Sequence, residues 1–117
     1  MSEQPVLNPV DVEQHIEEIR NRIAKGVSVV TAAEREAKRL RREFDLAFAH
    51  AYKKAEGSIP DRKYEAQIKT MGQREAAEIA ELAFNHAERT AWSLKDELSA
   101  VQSIGASVRA MYQSVRP

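Results

Sequence analysis

Two groups of basic residues near the middle of the chain have the composition of a phosphate-binding surface. The first, the arginine patch, consists of Lys38, Arg39, Arg41 and Arg42. The second, the turn cluster, consists of Lys53, Lys54, Arg62 and Lys63. Between Arg35 and Lys63 the chain has nine basic and five acidic residues, an excess of +4. Because guanidinium and ammonium groups neutralise phosphodiester charge, all eight residues are candidate nucleic-acid-binding residues.

Two tyrosines extend this pattern towards single-stranded nucleic acid. Tyr52 and Tyr64 flank the turn cluster, and aromatic rings beside cations are the groups on which unpaired bases stack. The alternative is a solvated helix face on which the basic residues pair with acidic neighbours, as Glu34 would with Lys38. The residue pattern leaves both interpretations open.

The residues that could catalyse a reaction are dispersed along the chain. His15, His50 and His86 do not fall at the spacing of a metal-binding helix motif, and the chain has no cysteine. The four glycines are scattered, so no glycine-rich phosphate loop is present in the sequence. The sequence therefore predicts a protein that is not an enzyme and holds no metal or cofactor.

Composition limits the other function classes. The 117 residues include 18 basic and 18 acidic residues, so any electrostatic attraction to a polyanion must be local. No apolar run approaches the roughly 18 residues that a membrane span needs, and the first residues lack the segments of a signal peptide. These observations predict a single domain, residues 1–117, in the cytoplasm and without a membrane partner.

The first half of the chain has the pattern of one long helix after a flexible lead at residues 1–8. Asn8 and Pro9 form a typical helix start, and apolar or small residues then recur at alternating steps of three and four. This first seam consists of Ile16, Ile19, Ile23, Gly26, Val30, Ala33, Ala37, Leu40, Phe44, Ala47 and Ala51. The pattern predicts a helix over residues 9–56, with a bend or break near Gly26 as the open alternative.

A break at residues 57–60 separates this helix from a second one over residues 61–113. Gly57, Ser58 and Pro60 have the order of a helix end followed by a new helix start. The second seam consists of Tyr64, Ile68, Met71, Ala76, Ala80, Ala83, Ala87, Ala91, Leu94, Leu98, Val101, Ile104, Val108 and Met111. Two long helices joined by a short turn predict an all-α antiparallel hairpin, with Gly26 opposite Trp92.

A lone two-helix hairpin buries little apolar surface, so the sequence also predicts a homo-oligomer. The end of the second helix should extend past the start of the first, which would leave its apolar residues without a partner in the same chain. The predicted oligomerisation residues are Val101, Ile104, Gly105, Val108, Met111 and Tyr112.

The C-terminal part of the chain resembles a known family. Residues 98–109, LSAVQSIGASVR, fit the pattern L-x-A-[VI]-x-S-x-G-x-x-[VI]-[KR] and are similar to the tail of UvsY, the recombination mediator family of T-even phages. Gly57, the stretch DRKYE at 61–65 and Lys69-Thr70 also resemble the turn and second-helix opening of that family. The similarity covers roughly residues 52–111, and small phage proteins without an assigned role share such a tail.

The resemblance implies a helical hairpin that oligomerises through its C-terminal region, binds single-stranded DNA and loads a recombinase. It also implies single-strand-binding protein as a partner and the cytoplasm of an infected bacterial host as the location. The segment LAFAH at 46–50 departs from the family, which has a basic pair there, so the family's DNA-contacting residues cannot be transferred. The alternative hypothesis is a phage protein of the same hairpin fold that binds proteins and no nucleic acid.

Overall fold

The computed structural model describes residues 8–114, and these residues are almost entirely helical. Helix α1 spans Pro9–Lys54, α2 spans Ile59–Lys69 and α3 spans Met71–Ser114. No strand occurs among residues 8–114, so the all-α prediction is confirmed. The predicted flexible lead falls, except for Asn8, outside the described residues.

Helix α1 begins where the sequence predicts. The side chain of Asn8 accepts a hydrogen bond from the backbone N–H of Asp11 at 3.0 Å, and Pro9 is the first helical residue. This satisfies one of the N–H groups that a helix start leaves free. The helix continues through Gly26 without a break and ends at Lys54, two residues before the predicted end.

The first seam is the buried side of α1. Ile16 and Ile19 are buried, and the other nine seam residues are all half-buried. Most of the residues between them are exposed. The heptad pattern therefore identified the side of α1 that packs against other residues.

The residues between α1 and α2 act as predicted, but α2 begins two residues earlier than predicted. Gly57 adopts a φ of 107°, a conformation that L side chains rarely adopt. Ser58 caps α2, with its hydroxyl accepting from the N–H of Asp61 at 3.3 Å, and Pro60 lies in the first turn. Because the first turn after the cap is already helical, α2 begins at Ile59 and not at the predicted residue 61.

Thr70 divides the predicted second helix into α2 and α3. Its Oγ1 donates to the carbonyl of Ala66 at 2.7 Å, and its side chain is buried. Threonine side chains compete in this way for the carbonyl four residues earlier and disturb regular helix geometry. The backbone bonds from Thr70 to Ala66 (3.1 Å) and from Arg74 to Thr70 (3.0 Å) are retained, so the interruption is a single residue.

The predicted second seam is wrong over its first three residues. Tyr64, Ile68 and Met71 are all more than 60% exposed. The buried residues of this region are the smaller Ala66, Thr70, Ala77 and Ala80. Small side chains let helix backbones approach closely, so they occupy the packed side although larger apolar residues are available.

The described residues 8–28 and 89–114 form one compact unit. Its core is a cluster of Val12, Ile16 and Val108, against which Leu98 and Val101 pack. Glu13 contacts Arg109 at 3.4 Å, and Arg22 contacts Glu97 at 4.0 Å. The later residue of α1 thus contacts the earlier residue of α3, so the two segments of this unit run in opposite directions.

The predicted packing of Gly26 against Trp92 is wrong. Trp92 is 70% exposed. A Cβ added to Gly26 would meet no atom within 4 Å. The close approach occurs at Gly105 instead, where an added Cβ would lie 2.9 Å from Cγ1 of Val12.

Residues 29–88 form the second compact unit, which contains the turn. Its buried residues are Ala55, Ala66, Thr70, Ala77 and Ala80. Rings follow one another along α1, with Phe44 and Phe48 at 6.2 Å between centroids and Phe48 and Tyr52 at 6.3 Å. These contacts lie within α1 and end at Tyr52, next to the first half of the turn cluster.

Two glycines give an opposed pair of stability predictions. Gly57→Ala should destabilise the protein by about 1–2 kcal/mol, because alanine is strained at positive φ. Gly26→Ala should stabilise it by about 0.5–1 kcal/mol, because this glycine lies inside a helix and faces open space. Urea denaturation followed by circular dichroism measures both, and two shifts of the same sign would contradict the assignment.

Candidate nucleic-acid interface

All eight predicted phosphate-binding residues lie in the unit of residues 29–88, and all are exposed. The arginine patch lies in the middle of α1. Lys53 and Lys54 are the last two residues of α1, whereas Arg62 and Lys63 lie in the first half of α2. The two groups differ in how their charges are paired within the chain.

Arg39 is fully engaged by carboxylates of its own helix. Its Nη2 and Nε donate to the carboxylate of Glu36 at 2.6 and 3.0 Å, and its Nη1 donates to Glu43 at 2.7 Å. The hydrogen bonds from Arg39 lower the pKa of Glu36, and the same contacts raise the pKa of Arg39. The shifts favour the charged forms of Arg39 and Glu36. With two glutamates around one arginine, this set of three side chains adds no positive charge to the surface.

Two further cations of the arginine patch are also paired. Lys38 donates to Glu34 at 3.1 Å, which is the intrahelical pair expected from the sequence. Arg41 lies 3.5 Å from Asp45 and its guanidinium lies 5.8 Å from the centre of the Phe44 ring. Within residues 8–114, Arg42 is the one member of the patch without such a contact. The patch consequently offers little uncompensated charge.

The turn cluster has a different electrostatic character. In the part of the chain that the structure describes, none of its four members forms an ion pair with a carboxylate. Arg62 donates from Nε to the carbonyl oxygen of Gly57 at 3.0 Å, which holds its guanidinium beside the turn. Lys53 and Lys54 lie at the C-terminal end of α1, where positive charge is favoured by the helix dipole. The cluster therefore presents four cations available to an anion.

The two tyrosines beside the turn cluster have different environments. Tyr52 is half-buried and packs on Phe48 with an angle of 25° between the rings. Tyr64 is exposed on α2. Tyr64 is thus available for contact with another molecule, whereas Tyr52 is part of the intramolecular packing.

A groove between α1 and α3 lies beside the arginine patch in the same unit. It has a volume of about 410 Å³ and an apolar floor formed by Ala37, Ala77 and Phe84. Glu34, Lys38, Arg41 and Glu81 form its rim. The four rim residues are two acids and two bases, so the groove adds no net charge to the patch.

Groups with catalytic or metal-binding chemistry remain dispersed. His15 lies 3.8 Å from Glu97, and both side chains are about half exposed. His50 and His86 are exposed in the unit of residues 29–88. Among the described residues, no set of three histidine, cysteine, aspartate or glutamate side chains could hold a metal ion.

The predicted oligomerisation residues divide into two sets. Gly105 and Val108 are buried and Val101 is half-buried, all three against α1 of the same chain. The expectation that Val108 has no partner in its own chain is therefore wrong. Its contacts lie with Val12 and Ile16, three and seven residues after the start of α1 at Pro9. Ile104, Met111 and Tyr112 are exposed and stay available for another subunit.

Comparison of the chain with protein-family models, with curated proteins and with solved structures gives no match. None of the described helices has the length and apolar character required to cross a membrane.

Proposed function

We propose that this protein is a non-catalytic recombination mediator of the phage type, which binds single-stranded DNA and helps to load a recombinase onto it. The observation that carries the proposal is the turn cluster, in which four exposed cations lack a carboxylate partner among residues 8–114. The resemblance of residues 98–109 to the UvsY tail supports the same function. Binding by the turn cluster replaces the family's basic pair, which this chain lacks.

Phosphate neutralisation is the main source of affinity in this proposal. Lys53, Lys54, Arg62 and Lys63 lie within a short stretch on both sides of one turn, so neighbouring phosphates of a single strand can contact them together. Such binding depends little on base sequence and falls steeply with salt, because counterions are released from the strand. The arginine patch contributes less, since a phosphate must first displace a carboxylate from Arg39 or Lys38.

The mediator acts as a homo-oligomer built from long antiparallel hairpins. The opposed direction of the two segments in the unit of residues 8–28 and 89–114 supports the hairpin. Exposed Ile104, Met111 and Tyr112 support assembly through the C-terminal region. An oligomer repeats the turn cluster along one DNA strand, which multiplies a modest affinity into strong binding. Recombinase and single-strand-binding protein are the expected partners, in the cytoplasm of an infected bacterium.

Fluorescence anisotropy of a labelled oligothymidine tests the proposal. The protein should bind it at micromolar concentration in low salt, and the affinity should fall at least about 10-fold between 50 and 200 mM salt. A matched oligonucleotide of mixed sequence should bind within about 3-fold of the oligothymidine. Absence of binding at micromolar protein in low salt would refute the proposed function.

A second candidate function is supported by the ion pairs of the arginine patch. Because Lys38, Arg39 and Arg41 are paired with acids of their own helix, most of the basic excess is compensated within the chain. This observation favours a phage protein of the hairpin fold that binds proteins and no nucleic acid. Oligomers in light scattering together with no DNA binding would support this function over the first.

A further inference from the structure

Helices α2 and α3 carry a line of large apolar side chains exposed to solvent. Its members, here called the outer stripe, are Tyr64, Ile68, Met71, Ile79 and Leu82, and each is 60–70% exposed. They recur at steps of three, four or eight residues, which places them on one side of a helix. Clusters of exposed large apolar side chains of this kind are typical of an interaction site.

The outer stripe lies on the side of α2 and α3 opposite to their packed side. At about 100° per residue, Ala66, Thr70, Ala77 and Ala80 project roughly half a turn away from the outer stripe. The hydrogen bonds across Thr70 keep the helical register, so the stripe continues from α2 into α3. One side of this segment is buried within its own unit. The other side carries the outer stripe, with Glu75 between Met71 and Ile79, and is not covered by any of the described residues.

We propose that the outer stripe binds the outer stripe of a second copy of this chain, in antiparallel orientation and centred near residue 73. This register places Tyr64 opposite the partner's Leu82 and Ile68 opposite the partner's Ile79. Met71 of each copy then lies near the centre, beside the partner's Glu75. Because the stripe is nearly symmetric about its midpoint, every large apolar residue except Met71 finds an apolar counterpart.

The charges of the two halves of this segment select the antiparallel orientation. Residues 63–74 contain three basic residues and one acid, namely Lys63, Lys69, Arg74 and Glu65. Residues 75–88 contain no Lys or Arg and four acids, namely Glu75, Glu78, Glu81 and Glu88. An antiparallel pair brings the basic half of each copy to the acidic half of the other, whereas a parallel pair opposes like charges.

Ion pairs within the chain leave this polarity in place. Lys69 contacts Glu65 at 3.1 Å, and Arg74 contacts Glu78 at 3.0 Å. Each pair neutralises one basic and one acidic group, so the excess of base before residue 75 and of acid after it persists. Glu75 and Glu81 have no ion pair within residues 8–114 and are available to the basic half of a second copy.

Gly72 fits the centre of such a pair. It lies in the first turn of α3, and an added Cβ would meet no atom within 4 Å. Neither the space around it nor its backbone conformation requires a glycine within the single chain. At the centre of an antiparallel helix pair, the absence of a side chain allows the two backbones to approach closely.

This pairing goes beyond the proposed function, because it requires neither nucleic acid nor the C-terminal assembly surface. It covers Tyr64, and the DNA contact is accordingly assigned to the cations of the turn cluster and not to this ring. Lys53 and Lys54 are on α1, and Arg62 projects from the side of α2 roughly opposite to the stripe, so these three cations stay outside the interface. A chain could therefore pair through the outer stripe whether or not it binds DNA.

Disulfide cross-linking tests the pairing directly, because the natural chain has no cysteine. Ile68→Cys and Ile79→Cys are made as separate variants, mixed and oxidised. We expect a cross-linked dimer from the mixture and little from either variant alone, since residue 68 lies far from its own copy in an antiparallel pair. The control replaces Ile68→Cys with Leu46→Cys, an equally exposed position on α1, and should give no dimer with Ile79→Cys.

Each other outcome overturns the proposal. Equal cross-linking of Ile68→Cys alone indicates a parallel pair, and equal cross-linking with Leu46→Cys indicates non-specific collision. No dimer in any mixture shows that the outer stripe does not bind a second copy. DNA binding measured on the same samples separates the two proposals, because binding without cross-linking overturns only the pairing, and cross-linking without binding overturns only the function.

A charge variant gives an independent readout in ultracentrifugation. Ile68→Glu combined with Ile79→Glu should lower the mass of the assembly at least 2-fold, with circular dichroism showing that helix content is retained. The control Leu46→Glu should leave the mass unchanged. An unchanged mass for the double variant would overturn the pairing.

Discussion

Val108→Asp should destabilise the protein by about 3 kcal/mol or more, because it places an unpaired carboxylate in an apolar core. Val108 is 7% exposed and packs in the cluster with Val12 and Ile16. The described residues supply no basic side chain to this cluster, so the new charge stays uncompensated. Urea denaturation followed by circular dichroism should show an earlier transition or loss of the folded baseline.

Ala110→Asp is the matched control for this substitution. Ala110 lies two residues later on α3, is exposed and is not one of the predicted oligomerisation residues, so the same new charge remains in water. Its effect on the free energy of unfolding should stay within about 0.5 kcal/mol. Equal effects of the two substitutions would contradict the assignment of Val108 to the core.

Reversing the charges of the turn cluster should abolish binding to single-stranded DNA. The variant carries Lys53→Glu, Lys54→Glu, Arg62→Glu and Lys63→Glu. Four attractive phosphate contacts become repulsive, and we expect the affinity to fall at least about 100-fold at low salt. Fluorescence anisotropy measures the loss, and circular dichroism checks that the helices remain.

Two control variants separate local from general charge effects. The first control carries Arg20→Glu, Lys25→Glu, Arg35→Glu and Lys95→Glu, at exposed sites outside the arginine patch and the turn cluster. It changes the net charge as much as the turn-cluster variant does, and it should reduce the affinity for DNA far less. The second control carries Glu34→Gln, Glu36→Gln, Lys38→Gln and Arg39→Gln, which remove three ion pairs of the arginine patch without changing net charge. This second control should stay within about 3-fold of the natural protein. A loss as large as that of the turn-cluster variant would move the DNA contact to the patch.

Features set by local chemistry were predictable from the sequence. Asn8, Ser58 and Gly57 act at the positions expected, because caps and positive φ depend on one residue and its immediate neighbours. The first seam was also predictable, because its residues keep a strict heptad spacing through Gly26. The intrahelical pair of Glu34 and Lys38 follows from the same helical geometry.

Features set by packing between helices were not predictable in detail. Around the junction of α2 and α3 the buried residues are the small Ala66, Thr70 and Ala77, while the larger Ile68 and Met71 are exposed. The size of an apolar side chain therefore did not identify the packed side. The partner of Val108 depends on how far one helix slides along the other, which the turn alone does not determine. The ion pairs of Arg39 with two glutamates could have been predicted, because Glu36 and Glu43 lie three and four residues away in the sequence.

The most direct test of the central claim is the residue-resolved NMR footprint of a short oligothymidine on the natural protein. At low salt, backbone amides of residues 52–64 should shift in proportion to bound DNA, and those of residues 34–43 should change little. The shifts should reverse when salt is raised, because the contact is to phosphate. A footprint confined to residues 34–43, or unshifted spectra at saturating oligonucleotide, would contradict DNA binding through the turn cluster.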